Sequence, residues 1–280
     1  MSALTATRVD LHAHTNASDG EHSPEELIEI ARARQVAYLG IADHDTLAGI
    51  ERAVAAAQRA GDIEVIPGIE FSTDWEKREL HVLAYMVDYR DPATMALADQ
   101  FREGRLGRAQ KILAKLDALG VPVEFAKVAA IAGDAAIGRP HVARALVDAG
   151  HVATIQEAFD LYLASDKPAY VEYESASPFQ AVQMIRAVGA VPVLAHPYDV
   201  QRIVPDLVKV GLVGLECYYA QYDEWQQREL VDLAKQYGLL ATGGSDFHGL
   251  HRMGHMSALG EAHVPIEVVA KLKQAKAKMK

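Results

Sequence analysis

The feature that most limits how this chain can fold is a repeated phasing: short apolar runs that end, one after another, in histidine, aspartate or glutamate. The runs lie at 8–14, 38–43, 64–71, 80–87, 191–196, 212–218 and 239–243. Several are nearly continuous Val, Ile, Leu and Ala, as strands buried on both faces of a parallel sheet must be. Patterns of helical period separate them. Ser23-Pro24-Glu25-Glu26 puts a hydroxyl at an N-cap, proline at the first helical position and glutamate at the third. Gly61 and Gly120 stand where helices are expected to end. Repeated strand–helix units predict an α/β fold with a parallel sheet, and seven of them suggest a closed or nearly closed barrel.

One stretch breaks the rhythm. Residues 92–170 show no strand pattern, only helical ones at 93–119, 140–149 and 154–164. The first carries Arg102, Arg105, Arg108, Lys111 and Lys115, a locally basic helix in a chain whose 28 Lys and Arg face 38 Asp and Glu. This reads as a helical insertion over one end of a barrel built from 1–91 and 171–280. A formal charge of −10 argues against duplex DNA as a partner, which needs many phosphate-neutralising cations, but permits a small anion held by local cations or metals. The single cysteine, Cys217, excludes an intrachain disulfide framework and a Cys-rich zinc site. No apolar run reaches bilayer length and the first eight residues lack a secretory leader pattern. A cytoplasmic protein with no membrane partner is expected.

The chemistry starts at His12-Ala13-His14. Residues i and i+2 of a strand point the same way, so two imidazoles project from one face, either to one metal ion or to each other in a polar core. The later strand ends favour the metal. The second run ends in Asp43-His44-Asp45, the third in Glu70, the fifth in His196, and the seventh leads into Ser245-Asp246-Phe247-His248. C-terminal strand ends converge at one mouth of a parallel barrel, where active sites are built. A metal-dependent hydrolase follows. His81 is out of phase, lying near the start of its run, and Asp19 before Gly20 is equally a turn residue or a ligand. Glu216 suits a supporting role better than ligation. His22, His151, His251, His255 and His263 read as surface residues. Tyr218, Tyr219, Tyr222 and Trp225 suit a core or a surface for stacking a base.

In Asp10–His14, Ala42–Asp45, Glu70, His81, His196 and Gly244–His248, taken in order, the chain resembles the PHP (polymerase and histidinol phosphatase) family of metal-dependent phosphoesterases. The resemblance implies a distorted (β/α)₇ barrel with two or three divalent metal ions. It implies that His12, His14, Glu70 and Asp246 hold one ion, that Glu70 bridges to a second held also by His81 and His196, and that Asp19, His44 and His248 form a third site. Many members have histidine where this chain has Asp19; a carboxylate there favours a harder ion such as Mn²⁺, while the nitrogen-rich remainder accepts Zn²⁺ or Fe²⁺ as well.

A second likeness narrows the substrate. Gly138-Arg139-Pro140-His141, followed by Lys167-Pro168-Ala169-Tyr170-Val171, resembles the subgroup acting on nucleoside 3′,5′-bisphosphates and short RNA. Pro140 suits the first position of a helix, which sets Arg139 and His141 beside free backbone N–H groups, a ready phosphate site. Lys167, Tyr170 and Ser72 are further substrate candidates. Attack of metal-activated hydroxide on phosphorus is expected, with Asp246 at the centre and His196 or His248 protonating the departing sugar oxygen. The rivals are histidinol phosphate as substrate, C–N hydrolysis of amidohydrolase type, which would usually place a bridging lysine where Glu70 stands, and a noncatalytic metal- or nucleotide-sensing module.

Overall fold

In the computed structural model, which describes residues 7–173, 176–249 and 257–279, seven strands form one sheet in chain order. They are β1 (Arg8–Ala13), β2 (Val36–Ile41), β3 (Glu64–Trp75), β4 (Arg78–Tyr85), β5 (Val191–Leu194), β6 (Gly214–Tyr219) and β7 (Leu240–Gly244). A parallel bridge between Ala13 and Phe247 brings the two edges together, giving the expected distorted, nearly closed barrel. Strand alternation feeds two apolar clusters. Val9, Leu11, Ile66, Leu83, Tyr85 and Val193 share one, whereas Leu39, Ile41, Ile69, Phe71, Val82 and Leu194 pack with the helices.

Helix α1 (Pro24–Ala33) starts at the predicted capping box, the Ser23 hydroxyl accepting from the Glu26 N–H while the Glu26 carboxylate accepts from the Ser23 N–H. Helix α2 (Ile50–Ala60) ends at Gly61, whose φ of 78° suits a residue without a Cβ. Then come α3 (Pro92–Ala118), α4 (Phe125–Ala132), α5 (Arg139–Asp148) and α6 (Ile155–Ala158), the last continuing as a π-helical turn over Phe159–Leu163. The chain returns to the barrel through α7 (Pro178–Ala187), α8 (Val204–Lys209), α9 (Glu224–Tyr237) and α10 (Glu267–Ala277). Among the described residues no helix is long and apolar enough to cross a membrane.

One expectation is corrected. The strands are not all parallel: β4 runs antiparallel to both β3 and β5. Glu76 and Lys77 make the β3–β4 turn with φ of 50° and 63°, the backbone of a two-residue hairpin. A parallel crossover needs a dozen or more residues, and the chain between β3 and β4 is far too short for one. The reversal explains His81: the beginning of β4, not its end, lies at the barrel mouth, with His81 directly opposite Ser72. The predicted strand limits also shift by a few residues, so that His14, Asp43 and His196 lie just beyond strand ends.

The inserted helices have an apolar core of their own, in which Ile112, Leu116, Val128, Val142, Leu146, Leu163 and Ala169 are buried together. Helix α3 serves both units, since Leu97, Ala98 and Phe101 in its first turns belong to the barrel core.

Candidate metal centre

Two local devices bring the ligand-type residues to one mouth. The first is the turn that follows a parallel strand. His14, His44, His196, Asp246 and His248 occupy such turns, and His196 and Asp246 hold left-handed φ of 30° and 54°, a conformation that non-glycine residues keep only where their surroundings over-determine it. The second is the β3–β4 hairpin, where Glu70, Ser72, Glu79 and His81 alternate onto one face.

Glu70 is the hub, its side chain 1% exposed. Its carboxylate lies 3.3 Å from Nε2 of both His12 and His14, 3.1 Å from His44 Nδ1, 3.0 Å from His81 Nδ1 and 3.4 Å from His196 Nε2. Asp246 Oδ1 is 3.0 Å from His14 Nε2 and 3.4 Å from His12 Nε2. On the far side of His14, Asp19 Oδ1 stands 3.2 Å from His248 Nε2 and 4.0 Å from His44 Nε2. Among the described residues three sets result, each with its donor atoms within 4.8 Å of one another: His12, His14, Glu70 and Asp246; His44, Glu70 and His81; and His14, Asp19, His44 and His248. His196 joins the second through its Nε2, 3.2 Å from His81 Nδ1.

Divalent metal fits this arrangement. The His12 Nδ1–H donates to Glu216 at 2.9 Å, the His81 Nε2–H to Glu79 at 3.1 Å, and the His248 Nδ1–H to the Asp246 carbonyl at 2.9 Å. In the neutral form of these three rings the inward nitrogen is left as a lone pair facing other acceptors, and His12 Nε2 meets His14 Nε2 at 3.1 Å. Both Glu70 oxygens are buried without a hydrogen bond, as is His44 Nδ1. Only cations relieve such a cluster of acceptors, and donors sharing one ion through bonds of about 2.0–2.2 Å stand about 3.0–3.5 Å apart.

The electrostatics agree. Burial disfavours a charged imidazole, yet the Glu216, Glu70 and Asp246 carboxylates outweigh it and hold His12 well above its ordinary pKa. Asp246 and Glu70 likewise overcome burial to raise His14 to about 9, and Glu70 with Glu79 raises His81 to about 10. For His44 burial wins and the pKa falls well below the usual value. Glu70 is held well below the carboxylate range, against burial, by His81, His12 and His44. The carboxylates draw positive charge to the centre of the cluster.

Buried polar residues fix this frame. Glu216 braces two members at once, accepting from His12 and, through its other oxygen, from the His196 N–H at 2.9 Å. Asp10 accepts N–H bonds from His12, Ser245 and Gly260 across the barrel seam. Asp43 holds the loop before Asp19, accepting from the Thr15 N–H and the Thr15 and Ser18 hydroxyls, each at 2.7 Å. Tyr219 donates to Asp246 Oδ2 at 3.0 Å.

A cavity of about 340 Å³ opens onto the cluster. Its lining joins Glu70, His81, His196, Asp246 and their neighbours to Arg105, Arg139, Phe159 and Tyr173 of the insertion and the segment after it. Arg105 is buried and pairs with Asp45, and its Nη2 donates to the Ser72 hydroxyl at 2.6 Å. Arg139 lies 2.6 Å from Glu79 and donates to the Leu163 carbonyl. Tyr170 donates its hydroxyl to Asp74, with its ring under the Arg108 and Arg139 guanidiniums.

The other substrate candidates are placed differently from one another. Ser72 is buried beside Arg105, just behind the cavity lining and not itself part of it. Helix α5 begins at Arg139, one residue earlier than predicted, and His141 Nδ1 accepts from the Gly138 N–H at 2.9 Å, so its ring caps its own helix. It lines a neighbouring cavity with Asp19, Pro140 and Arg144. Lys167 pairs with Asp166 at 3.0 Å and is not in the cavity lining. His22 stacks on Phe247, His151 meets the Pro122 carbonyl, and Tyr222, Tyr198 and Trp225 form a series of tilted and edge-to-face ring contacts leading out from Tyr219. His251 and His255 lie outside the described residues. Arg105, Glu79, Phe159 and Tyr173 are members of the site that the sequence did not single out. The signal for Arg105 was the basic run on α3; for Glu79 it was its i, i+2 spacing from His81.

A nearly closed barrel with imidazoles and carboxylates at its mouth, and guanidiniums lining the same cavity, defines a metal-dependent phosphoesterase. Comparison with known proteins agrees, and residues 10–172 match the PHP domain family. A 5′-3′ exoribonuclease of Haemophilus influenzae is 36% identical, covering 92% of this chain and 97% of that one. A 3′,5′-nucleoside bisphosphate phosphatase of Chromobacterium violaceum is also 36% identical, over 92% and 94%. A solved structure from Bifidobacterium adolescentis, under the name of a metal-dependent phosphoesterase, superposes with a TM-score of 0.82 at 30% identity, over 95% of each chain. The chain belongs to the PHP domain family.

Proposed function

We propose that this phosphoesterase removes the 3′-phosphate of nucleoside 3′,5′-bisphosphates and also accepts short oligoribonucleotides. The observation that carries the reading is the cavity: one space is lined both by the His/carboxylate cluster and by Arg105 and Arg139. A sugar bearing two phosphates can meet the cluster with one and a guanidinium with the other. The names of the two relatives, a bisphosphate phosphatase and an exoribonuclease, support that substrate class.

His12, His14, Glu70 and Asp246 would hold one divalent ion, Glu70 with His81 and His196 a second, and Asp19, His44 and His248 a third, with manganese preferred over iron or zinc because Asp19 adds a hard oxygen donor. Such ions supply Lewis acidity toward a phosphoryl oxygen and make hydroxide available near neutral pH. Two of them outweigh the carboxylates of Asp19, Glu70 and Asp246, which favours an anionic phosphoryl group over a neutral amide. Arg139, joined by Arg105, positions the second phosphate. His196, whose side chain is 27% exposed and the most open of the six clustered histidines, is the candidate to protonate the departing 3′ oxygen when it is not engaged as a ligand, with His248 as the alternative. The insertion 92–170 acts as the substrate cap on a barrel of 1–91 and 171–280.

Adenosine 3′,5′-bisphosphate should therefore be cleaved faster than 3′-AMP. A charge-assisted hydrogen bond contributes about 1.5–3 kcal/mol, so losing the phosphate grip costs roughly one to two powers of ten in kcat/KM. Arg139→Ala should erase most of that preference while slowing 3′-AMP far less. Equal wild-type rates on the two nucleotides would overturn the reading and return histidinol phosphate as the candidate substrate.

A further inference from the structure

Glu79 lies where the barrel meets the insertion, and neither ligation nor substrate binding has so far used it. It sits on β4 two residues from His81, so both side chains project from the same face of the hairpin. One oxygen accepts from His81 Nε2 at 3.1 Å. The other lies 3.0 Å from Arg108 Nη2, on α3, and 2.6 Å from Arg139 Nη2, at the start of α5. The side chain is 12% exposed. One carboxylate thus touches an imidazole of the metal cluster and a guanidinium from each of two inserted helices.

We propose that Glu79 is a positioning residue that couples the insertion to the metal centre. By accepting the Nε2 proton of His81 it fixes that ring's tautomer and turns Nδ1 toward Glu70, 3.0 Å away. By holding Arg108 and Arg139 it sets the position of the cap relative to the same ring. The coupling runs both ways: a phosphate that draws Arg139 away from Glu79 leaves the carboxylate with one guanidinium, Arg108, in place of two, so that it accepts more strongly from His81 and makes His81 a more basic ligand. Metal affinity and anion affinity are therefore linked through this one residue. The inference rests on the reading of His81 as a ligand, but not on the identity of the substrate.

The test uses the full chain and Mn²⁺ alone. Wild type, Glu79→Gln and Asp74→Asn are titrated by calorimetry with and without inorganic phosphate, and thermal unfolding is followed in parallel. Asp74 is the control because it also ties the end of the insertion and the segment after it to the hairpin, accepting from the Tyr170 hydroxyl and the Tyr173 N–H, yet belongs to none of the ligand sets. Losing the outer partner of a ligating histidine typically lowers metal affinity about 10- to 100-fold. Glu79→Gln should weaken one equivalent of Mn²⁺ by that factor, leave the remainder unchanged, and abolish the strengthening by phosphate expected of wild type. Asp74→Asn should lower the melting temperature and keep Mn²⁺ affinity within about twofold. Unchanged Mn²⁺ affinity in Glu79→Gln, or an equal loss in Asp74→Asn, would overturn the proposal. If Glu79→Gln does not fold, Glu79→Asp, which keeps the charge but draws it back from His81, is read by the same criteria. These outcomes are independent of nucleotide turnover, so failure of the 3′-phosphatase reading leaves them interpretable.

Discussion

A carboxylate with both oxygens buried and no hydrogen bond is stable only beside positive charge. Glu70 is in that position, with five imidazoles around it; Asp246, whose Oδ2 accepts from Tyr219, turns its other oxygen to His12 and His14. Glu70→Ala and Asp246→Ala should each lose at least one equivalent of bound metal and about a thousandfold or more in kcat/KM. Metal analysis and phosphate release check this, and full metal content in both variants would show that the cluster is not the metal centre. His22→Ala, which removes a ring stacked on Phe247, should change neither quantity appreciably. Asp10 gives the contrasting case. It accepts three backbone N–H bonds and belongs to none of the ligand sets, so Asp10→Ala should cost about 2–4 kcal/mol in unfolding free energy by stranding those donors. At this scale the sequence was legible wherever a ligand-type residue kept phase with a strand end, as His12, His14, His44 and Asp246 do. It was opaque at Glu79 and Arg105, whose importance comes from how the inserted helices dock on the hairpin. No local pattern records that docking.

Elements were legible where the chain punctuates itself. Ser23 and Glu26 announce α1, and Gly61 closes α2. The direction of β4 was not read, because apolar residues on both faces look the same whichever way a strand runs; the short link before it was the available sign. Packing between elements is tightest at the seam. A Cβ on Gly244 would lie 2.4 Å from the Cβ of His12, so Gly244→Ala must push β7 away from β1. Overpacking of this kind costs about 1–3 kcal/mol, and here it also displaces two ligand candidates, so metal affinity should fall along with stability. The insertion should behave in the opposite way. Leu146 is fully buried in the separate core of the inserted helices, and Leu146→Ala should destabilise that core by about 2–5 kcal/mol. Proteolysis within 112–169 should quicken and KM should rise, while metal content stays at the wild-type level. Loss of metal in that variant would mean that the barrel mouth depends on the insertion for its shape.

The whole molecule is an acidic body, with a formal charge of −10, around a site built to receive an anion. Long-range attraction therefore does little to gather substrate, and short-range contacts at the cluster and at Arg105 and Arg139 must supply the affinity. The reversed fourth strand also bears on the order in which the molecule assembles. Glu70 and His81 belong to one hairpin, and hairpins form in about 1–10 μs from neighbouring residues. His12 and Asp246 meet only when the two ends of the chain come together, a contact of high sequence separation that is correspondingly slow. The candidate metal centre thus has an early half and a late half, and a divalent ion held by both would need the seam closed first. Without metal, the amides that stitch the seam, the His14 N–H to Phe247 and the Asp246 N–H to His12, should exchange with solvent sooner than those pairing β3 with β4. Added metal should slow the seam amides most, acting as a clasp fastened last on a ring whose opposite side is already closed.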